Sequence, residues 1–225
     1  MVSIAIDGPA GAGKSTIARA IAERLGYIYV DTGALYRAVG LYATANGIET
    51  TDEAGVERLL MSAKVELRHD KSGTQRVYLN GYDVSEEIRR PEISMAASNV
   101  SALPAVRQFL FALQQNLAME HNVVMDGRDI GTVVLPRAQV KIFLTASVED
   151  RARRRFDELT AKGGSVTYEE VLEDIRKRDE SDTNRAIAPL KQARDALLVD
   201  TTGNTLERSI DILLKLVKEQ LAHVL

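Results

Sequence analysis

One loop near the N-terminus reads Gly8-Pro9-Ala10-Gly11-Ala12-Gly13-Lys14-Ser15. The loop fits the phosphate-binding pattern G-x-x-x-x-G-K-[ST] at every defined position. Its glycines allow backbone N–H groups to turn inward around a phosphate. Lys14 would place a positive charge on the β- and γ-phosphates, and Ser15 would offer its hydroxyl to Mg²⁺. A plain glycine-rich turn is the alternative, but such a turn has no use for Lys-Ser at this place.

The segments on either side of the loop support a phosphate site. Residues 3–7 form a short apolar run that is typical of a buried strand. Residues 16–25 carry apolar side chains at helical spacing, and Gly26 follows as a stop signal. Strand, loop and helix therefore occur in the order that the motif requires. The positive end of the helix dipole would face the same phosphate.

The composition is that of an ordinary globular protein with one substantial core: 225 residues, 45% hydrophobic and 27% charged. A net charge of −3 does not favour nucleic-acid binding, so any anion site must be local. The chain has no membrane-length apolar run, no recognisable leader and no cysteine. We therefore expect a cytoplasmic protein without disulfides or cysteine-bound metals.

Two predicted strands end in polar residues. The apolar segment 27–30 runs into Asp31-Thr32-Gly33, and segment 122–125 runs into Asp126-Gly127-Arg128-Asp129. Ligands of open α/β sheets bind beyond the carboxyl ends of the strands, which makes both clusters candidate sites. An acid beside a phosphate loop often holds Mg²⁺ or its waters, and Asp126 is a candidate for this role. The alternative is a turn in which the arginine merely pairs with its two acidic neighbours.

A small antiparallel meander interrupts the α/β pattern. Residues 65–69 and 76–79 alternate between apolar and polar, with a turn predicted at 70–73. Asn80-Gly81 is a strong hairpin signal before residues 82–84. We interpret about 63–90 as an inserted subdomain.

The remaining segments read as helices and two more strands. Strands are predicted at 140–144 and 196–200, and helices at 35–46, 52–62, 93–101, 104–120, 168–182 and 205–221. Arg37 would lie in the first turn of its helix, where the dipole does not favour a cation. A solvated side chain and an arginine that reaches an anion are both open at this point.

Four arginines lie close together in a further predicted helix, at Arg151, Arg153, Arg154 and Arg155. Such a run is usually a solvated helix face, but in a chain of net negative charge it is also a local attraction for anions. The spacing places the first, third and fourth arginines on one face. The sequence Lys-Gly-Gly-Ser at 162–165 then suits a hinge or a lid.

Short apolar strands alternating with helices predict an α/β fold with a parallel sheet covered on both faces. With the phosphate loop after the first strand, this is the P-loop NTPase architecture. The switch and base-reading patterns of GTPases are not present in the right order, and the chain is short for a motor or transporter ATPase. The many arginines suit a kinase whose acceptor is itself a phosphate, for which no general base is strictly needed.

Four motifs together resemble the bacterial cytidylate kinase family, and the likeness extends over essentially the full chain. They are residues 8–15, Asp-Thr-Gly-Ala-Leu-Tyr-Arg at 31–37, Asp-Gly-Arg-Asp-Ile-Gly-Thr at 126–132, and Arg-Asp through Asn-Arg-Ala at 178–186. The resemblance implies ATP-dependent phosphorylation of CMP and dCMP by direct in-line transfer. It also implies one kinase domain with a nucleoside-monophosphate-binding insertion at about 63–90 and a helical lid at about 150–166.

The resemblance implies the following residue roles. ATP is held by the loop residues Gly8 to Ser15 and by Thr16, with Mg²⁺ on Ser15; Asp126 is a further candidate for Mg²⁺, and direct contact and contact through a water are both open. The acceptor phosphate is held by Arg37, Arg128 and Arg185, cytosine is read by Ser98, Arg107 and Asp129, and Arg178 and Asp182 lie around the sugar. Thr32 also contacts the acceptor and stands where many relatives have serine. The candidate catalytic residues are Lys14, Arg128, Arg185 and the lid arginines Arg151 and Arg155.

The hydrogen-bonding groups of cytosine match the side chains that the resemblance assigns to the base. The ring accepts at O2 and N3 and donates from its 4-amino group, so an arginine and an aspartate satisfy both sides. Uracil would turn an acceptor toward Asp129 and leave a buried carboxylate unpaired.

Other readings stay open. They are a P-loop kinase of UMP, AMP or shikimate, a nucleotide-binding regulatory module, and a purely structural domain. We expect a monomer whose partners are small nucleotides, not nucleic acid or a membrane.

Overall fold

A five-stranded parallel sheet forms the centre of the molecule in the computed structural model, which describes residues 1–70, 74–161 and 163–224. The strand order is β2-β6-β1-β7-β8. The strands are β1 (Ser3–Asp7), β2 (Ile28–Asp31), β6 (Val123–Gly127), β7 (Val140–Thr145) and β8 (Leu197–Asp200). The predicted parallel sheet is confirmed, and the phosphate loop leaves its middle strand.

Helices cover the sheet and extend beyond it. They are α1 (Lys14–Leu25), α2 (Thr32–Ala45), α3 (Glu53–Leu60), α4 (Ile93–Ser101), α5 (Pro104–Glu120), α6 (Val148–Ala161), α7 (Tyr168–Asn184) and α8 (Leu206–Val224). A 3₁₀ turn occupies Glu87–Arg89, and a short π-helical turn occupies Ile130–Val134. None of the described helices combines the length and the apolar composition that a bilayer crossing needs.

Both faces of the sheet are buried, as the apolar strands predicted. Ile4 and Ile6 of β1 pack in one cluster with residues of α1 and α8, such as Ile17 and Leu213. The intervening Ala5 packs on the opposite face. Alternate residues of a strand point to opposite faces, so a strand covered on both sides must be apolar throughout.

The meander forms a separate antiparallel sheet in the order β3-β4-β5. Its strands are β3 (Val65–His69), β4 (Gln75–Leu79) and β5 (Tyr82–Asp83). Asn80 and Gly81 both have positive φ, 50° and 86°, as a tight hairpin turn requires. Of the turn predicted at 70–73, residues 71–73 lie outside the described residues, as does Lys162 of the predicted hinge loop.

Helix α2 begins three residues earlier than the sequence predicted. The side chain of Asp31 accepts a hydrogen bond from the backbone N–H of Ala34 and so caps the helix. Arg37 consequently lies in the second helical turn, not in the first. The early start places the polar residues after β2 directly at the carboxyl edge of the sheet.

Candidate active site

The phosphate loop has the geometry that its glycines predicted. Gly11 and Gly13 adopt positive φ values of 73° and 82°, which side chains disfavour. Gly8 lies so close to β7 that an added Cβ would be 1.9 Å from the carbonyl oxygen of Leu144. Glycine is therefore required at residue 8 by space as well as by conformation.

Lys14 is buried at the start of α1, and its Nζ donates a 2.6 Å hydrogen bond to the carbonyl oxygen of Pro9. Burial lowers the pKa of Lys14 well below its ordinary value, and the nearby charges of Arg128 and Arg178 lower it further. The loop and these two arginines thus contribute to one region of concentrated positive charge. The negative charge of a bound polyphosphate would offset this positive charge.

Ser15 and Asp126 form a pair of oxygen donors under the loop. The hydroxyl of Ser15 donates to Asp126 Oδ2 at 2.9 Å, and the phenol of Tyr29 donates to Oδ1 at 2.9 Å. Burial, reinforced by the charge of Asp31, raises the pKa of Asp126 to about 6. Within the described residues no cluster of three or more His, Cys, Asp or Glu side chains could hold a metal. Two hard oxygen donors nevertheless fit Mg²⁺, which takes few protein ligands and completes its shell with phosphates and water.

Tyr29 is a site residue that the sequence reasoning missed, and Asp31 was predicted only as part of a polar cluster, without a role. Asp31 accepts a 2.9 Å ion-paired hydrogen bond from Arg89, and its backbone N–H donates to the side chain of Gln75 in the meander. The only sequence signal was their position on the strand that ends beside the loop. Thr32, which was predicted, is buried and donates from its hydroxyl to the carbonyl oxygen of Asp126 at 2.7 Å.

A pocket opens beyond β2 and β6, next to the phosphate loop. Seven of the nine residues predicted to bind the acceptor line it; Arg37 and Arg107 do not. The lining residues are Thr32, Gly33, Tyr36, Ala97, Ser98, Ser101, Gly127, Arg128, Asp129, Arg178, Asp182 and Arg185. The sheet edge, α2, α4 and α7 therefore bring together residues that are distant in the sequence.

Asp129 is buried in this pocket between two arginines. Its carboxylate accepts a hydrogen bond from Arg107 and lies 3.3 Å from Nη2 of Arg185. Burial raises the pKa of Asp129, although Arg107 and Arg185 oppose the rise. Arg185 is further engaged by Ser101 Oγ at 2.9 Å and by the carbonyl oxygen of Ala188 at 2.7 Å. The result is a fixed carboxylate that can accept a hydrogen bond from a ligand.

Arg128 forms its ion pair with Asp182, not with Asp126 or Asp129, the neighbours that the alternative reading of the sequence gave it. Nε of Arg128 donates to Asp182 at 2.8 Å, and Ser98 Oγ donates to the same carboxylate at 3.0 Å. Burial alone would raise the pKa of Asp182, but the charges of Arg128 and Arg178 outweigh it and hold the pKa below its usual range. Arg128 therefore does not simply pair with its chain neighbours Asp126 and Asp129.

Within the described residues, Arg178 and Arg37 make few hydrogen bonds for guanidinium groups that are largely shielded from solvent. Arg178 donates to Ser94 Oγ at 2.7 Å, while its buried Nε has no hydrogen-bond partner in the described part of the chain. Arg37 donates to the carbonyl oxygen of Ile88 at 3.3 Å. Burial lowers the pKa of Arg178 to about 9 and that of Arg37 to about 10, and neighbouring arginines add to both shifts. These groups are prepared for an anion.

The four arginines of α6 have different partners, and the three that were expected to share one face each bind a different group. Arg151 is buried and donates to the carbonyl oxygen of Ala10 at 2.9 Å. Arg153 stacks over Tyr168 at 4.5 Å, and Arg154 donates to the carbonyl oxygen of Thr201 at 2.7 Å. Arg155 pairs with Glu158, and its charge also reaches Arg37 and Arg178. Arg155 therefore adds to the positive charge around Arg37 and Arg178.

The comparisons with known proteins agree with this arrangement. The family model described as cytidylate kinase matches residues 4–219. A curated cytidylate kinase of Carboxydothermus hydrogenoformans is 53% identical over 214 residues, which cover 95% of this chain and 96% of that protein. One from Caldicellulosiruptor bescii is 49% identical over 97% and 98% of the two chains. An uncharacterized protein from Eubacterium ventriosum, 12% identical, shares the fold with a TM-score of 0.51 over 97% and 99% of the two chains.

Proposed function

The chain belongs to the cytidylate kinase family, and from this premise we propose how its residues divide the work of the reaction. The enzyme transfers the γ-phosphoryl group of ATP in line to the phosphate of CMP or dCMP, which yields ADP and CDP or dCDP. Two polyanions must meet for this transfer, so charge neutralisation and positioning are the main tasks of the protein.

One observation carries the assignment of the site: the incompletely paired guanidinium of Arg178 lies within electrostatic reach of Lys14 of the phosphate loop. A buried cation without a full set of partners is costly unless an anion binds there. Its position beside a donor loop supports a second phosphate next to the first. This is the geometry that transfer between two nucleotides needs.

On the donor side, the backbone of residues 8–15 and the start of α1, including Thr16, would hold the phosphates of ATP. Lys14 would leave the carbonyl oxygen of Pro9 and neutralise charge on the β- and γ-phosphates as it develops. Ser15, with Asp126 behind it, would hold Mg²⁺, which offsets phosphate charge when bound. Tyr29 would keep the carboxylate of Asp126 oriented.

On the acceptor side, Arg37, Arg128 and Arg185 would hold the phosphate of CMP. Among the described residues Arg37 makes one hydrogen bond, to the carbonyl oxygen of Ile88, which leaves donors for this purpose. Arg185 already bonds Ser101, Ala188 and Asp129, so it would share donors with the phosphate or exchange one of these contacts. Arg128, held by Asp182, would bridge toward the transferred group.

The base and sugar have their own candidate partners. Asp129 and Arg107 would meet the 4-amino group and the ring acceptors of cytosine, with Ser98 beside them. Arg178 and Asp182 would face the ribose or deoxyribose. Thr32 lines the pocket, and its hydroxyl donates to the carbonyl oxygen of Asp126.

We also propose that two segments of the chain close over the bound nucleotides. The segment at about 63–90 would close over the acceptor, and the segment at about 150–166, with Arg151 and Arg155, over the donor phosphates. We also propose that the enzyme works in the cytoplasm as a monomer, with ATP and CMP or dCMP as its small-molecule partners.

The test is an ADP-release assay with MgATP and a panel of acceptors: CMP, dCMP, UMP, AMP and shikimate. We expect rapid turnover with CMP and dCMP and weak turnover with the others. Preferential turnover with another acceptor would discard the base-site assignment but keep a P-loop kinase. ADP release that does not depend on any acceptor would contradict the kinase proposal itself.

A further inference from the structure

Two side chains outside the phosphate loop hold the same residue of that loop, Ala10, through the two peptide groups that adjoin it. The backbone N–H of Ala10 donates to Asp179 Oδ1 at 3.4 Å, and the carbonyl oxygen of Ala10 accepts from Arg151 Nη1 at 2.9 Å. The same Arg151 nitrogen lies 2.6 Å from Asp179 Oδ2. Nε of Arg151 is anchored separately on the carbonyl oxygen of Ala146. The ion pair therefore forms a clamp on Ala10.

The clamp holds the part of the loop between its first two glycines. Ala10 lies between Gly8 and Gly11, and both glycines adopt positive φ. Glycine-rich backbone loses much conformational entropy when it becomes ordered, so a loop held in advance binds phosphate more tightly than a free one. Gly11 itself packs on Arg151, because an added Cβ there would lie 3.2 Å from the Cβ of Arg151.

The surroundings favour a strong interaction. The side chain of Arg151 is 7% exposed and that of Asp179 is 23% exposed, in contrast to the solvated ion pairs that contribute little. Removing one partner would leave the other charged in a dry setting. The adjacent residue, Arg178, points instead into the acceptor pocket and donates to Ser94. Two successive residues of helix α7 therefore contact different sites: Arg178 lines the acceptor pocket, and Asp179 contacts the phosphate loop.

We infer that Asp179 is a positioning residue for the donor nucleotide, which acts through Arg151 on Ala10 of the phosphate loop. The inference rests on the proposed function for the identity of the donor. It assigns to Arg151 a role in shaping the loop before ATP binds, in addition to any contact with phosphates after lid closure. Asp179 itself touches neither substrate.

Binding of MgADP and of CMP to the full chain, each measured separately by titration calorimetry, tests the inference. In Asp179→Ala we expect MgADP to bind about tenfold more weakly, which corresponds to the loss of one charge-assisted contact. CMP should bind as in the unmodified chain. Asp179→Asn keeps an acceptor for the N–H of Ala10 but loses the charge. Its affinity for MgADP should lie between that of the unmodified chain and that of Asp179→Ala. Asp174→Ala, an exposed acid on the same helix, should change neither affinity.

Unchanged MgADP affinity in Asp179→Ala, or an equal loss of MgADP and CMP affinity, would overturn the inference. If Asp179→Ala does not fold, Asp179→Asn replaces it, because asparagine keeps the size of the side chain and an acceptor for the N–H of Ala10. MgADP should then bind more weakly than in the unmodified chain, while the affinity for CMP stays the same. Failure of the proposed function would look different, since the unmodified chain would bind MgADP without phosphorylating CMP.

Discussion

The hydroxyl of Ser15 donates a 2.9 Å hydrogen bond to the carboxylate of Asp126, although 111 residues separate the two. Parallel pairing of β1 with β6, which sets Ile6 opposite Asp126, brings the carboxylate under the phosphate loop. The second oxygen of the carboxylate is held by Tyr29. The oxygen pair proposed for Mg²⁺ is therefore oriented before any nucleotide arrives.

We expect this pair to make catalysis depend on pH. The pKa of Asp126 lies at about 6, so the carboxylate gains a proton and loses its charge as the pH falls through that value. The kcat/KM for ATP should decline below about pH 6, and a higher Mg²⁺ concentration should move the decline to lower pH. A pH–rate series at two Mg²⁺ concentrations measures this. Asp126→Asn should have low activity, and its kcat/KM should not decline further below about pH 6. If the decline persists in this variant, a group other than Asp126 causes it.

Substitution of Asp129 should relax the choice of base. Asp129→Ala removes the buried acceptor that we assign to the 4-amino group of cytosine, so the ratio of kcat/KM for CMP over UMP should fall on the order of 10²-fold. Overall activity should also drop, because Arg107 and Arg185 lose a partner. Asp157→Ala, an exposed acid on α6, serves as the control. An unchanged CMP/UMP ratio would remove Asp129 from base recognition.

Lys14→Ala should abolish most phosphoryl transfer without unfolding the protein. In the described part of the chain the ammonium group makes one hydrogen bond, to the carbonyl oxygen of Pro9, and burial disfavours its charge, so the fold depends little on it. Loss of transition-state charge neutralisation should lower kcat on the order of 10²- to 10³-fold. Circular dichroism should match the unmodified chain, as should the activity of the exposed control Lys177→Ala. Normal turnover in folded Lys14→Ala would contradict the donor-site assignment.

Asp7 should make stability depend on pH. It accepts hydrogen bonds from the backbone N–H groups of Ile130 and Gly131 at 2.8 Å, yet burial raises its pKa from 3.8 to about 6. A raised pKa in the folded state means that the stabilising contribution is full below pH 3.8 and is lost as the pH rises through about 6. From about pH 7 to about pH 5, the unmodified chain should gain about 1 kcal/mol in free energy of unfolding relative to Asp7→Asn.

Urea unfolding of both proteins at the two pH values measures this gain, and the contributions of other acids cancel in the comparison. Asn offers one acceptor oxygen instead of two, so a loss of about 1 kcal/mol that does not vary with pH is also expected in the variant. A stability difference that is the same at both pH values would show that Asp7 titrates as an ordinary aspartate.

Local signals in the sequence predicted the elements well where they were strong. The bounds predicted for α4 and α5 are those observed, since Pro104 marks the start of one helix and holds the preceding Leu103 in an extended conformation that separates the two. Helix α2 was predicted too short because the capping role of Asp31 was not recognised. The hairpin at Asn80-Gly81 was confirmed, since this pair adopts positive φ more readily than others.

The sequence by itself determined the phosphate loop, the parallel α/β architecture and the set of polar residues at the carboxyl ends of the strands. These features depend on spacing within a few residues, which a single chain displays directly. Only the tertiary structure decided which charges meet: Arg128 with Asp182 across 54 residues, Asp129 with Arg107 and Arg185, and Arg151 with Asp179. Ion pairing depends on distance in space, and strand order and helix packing set that distance independently of position along the chain.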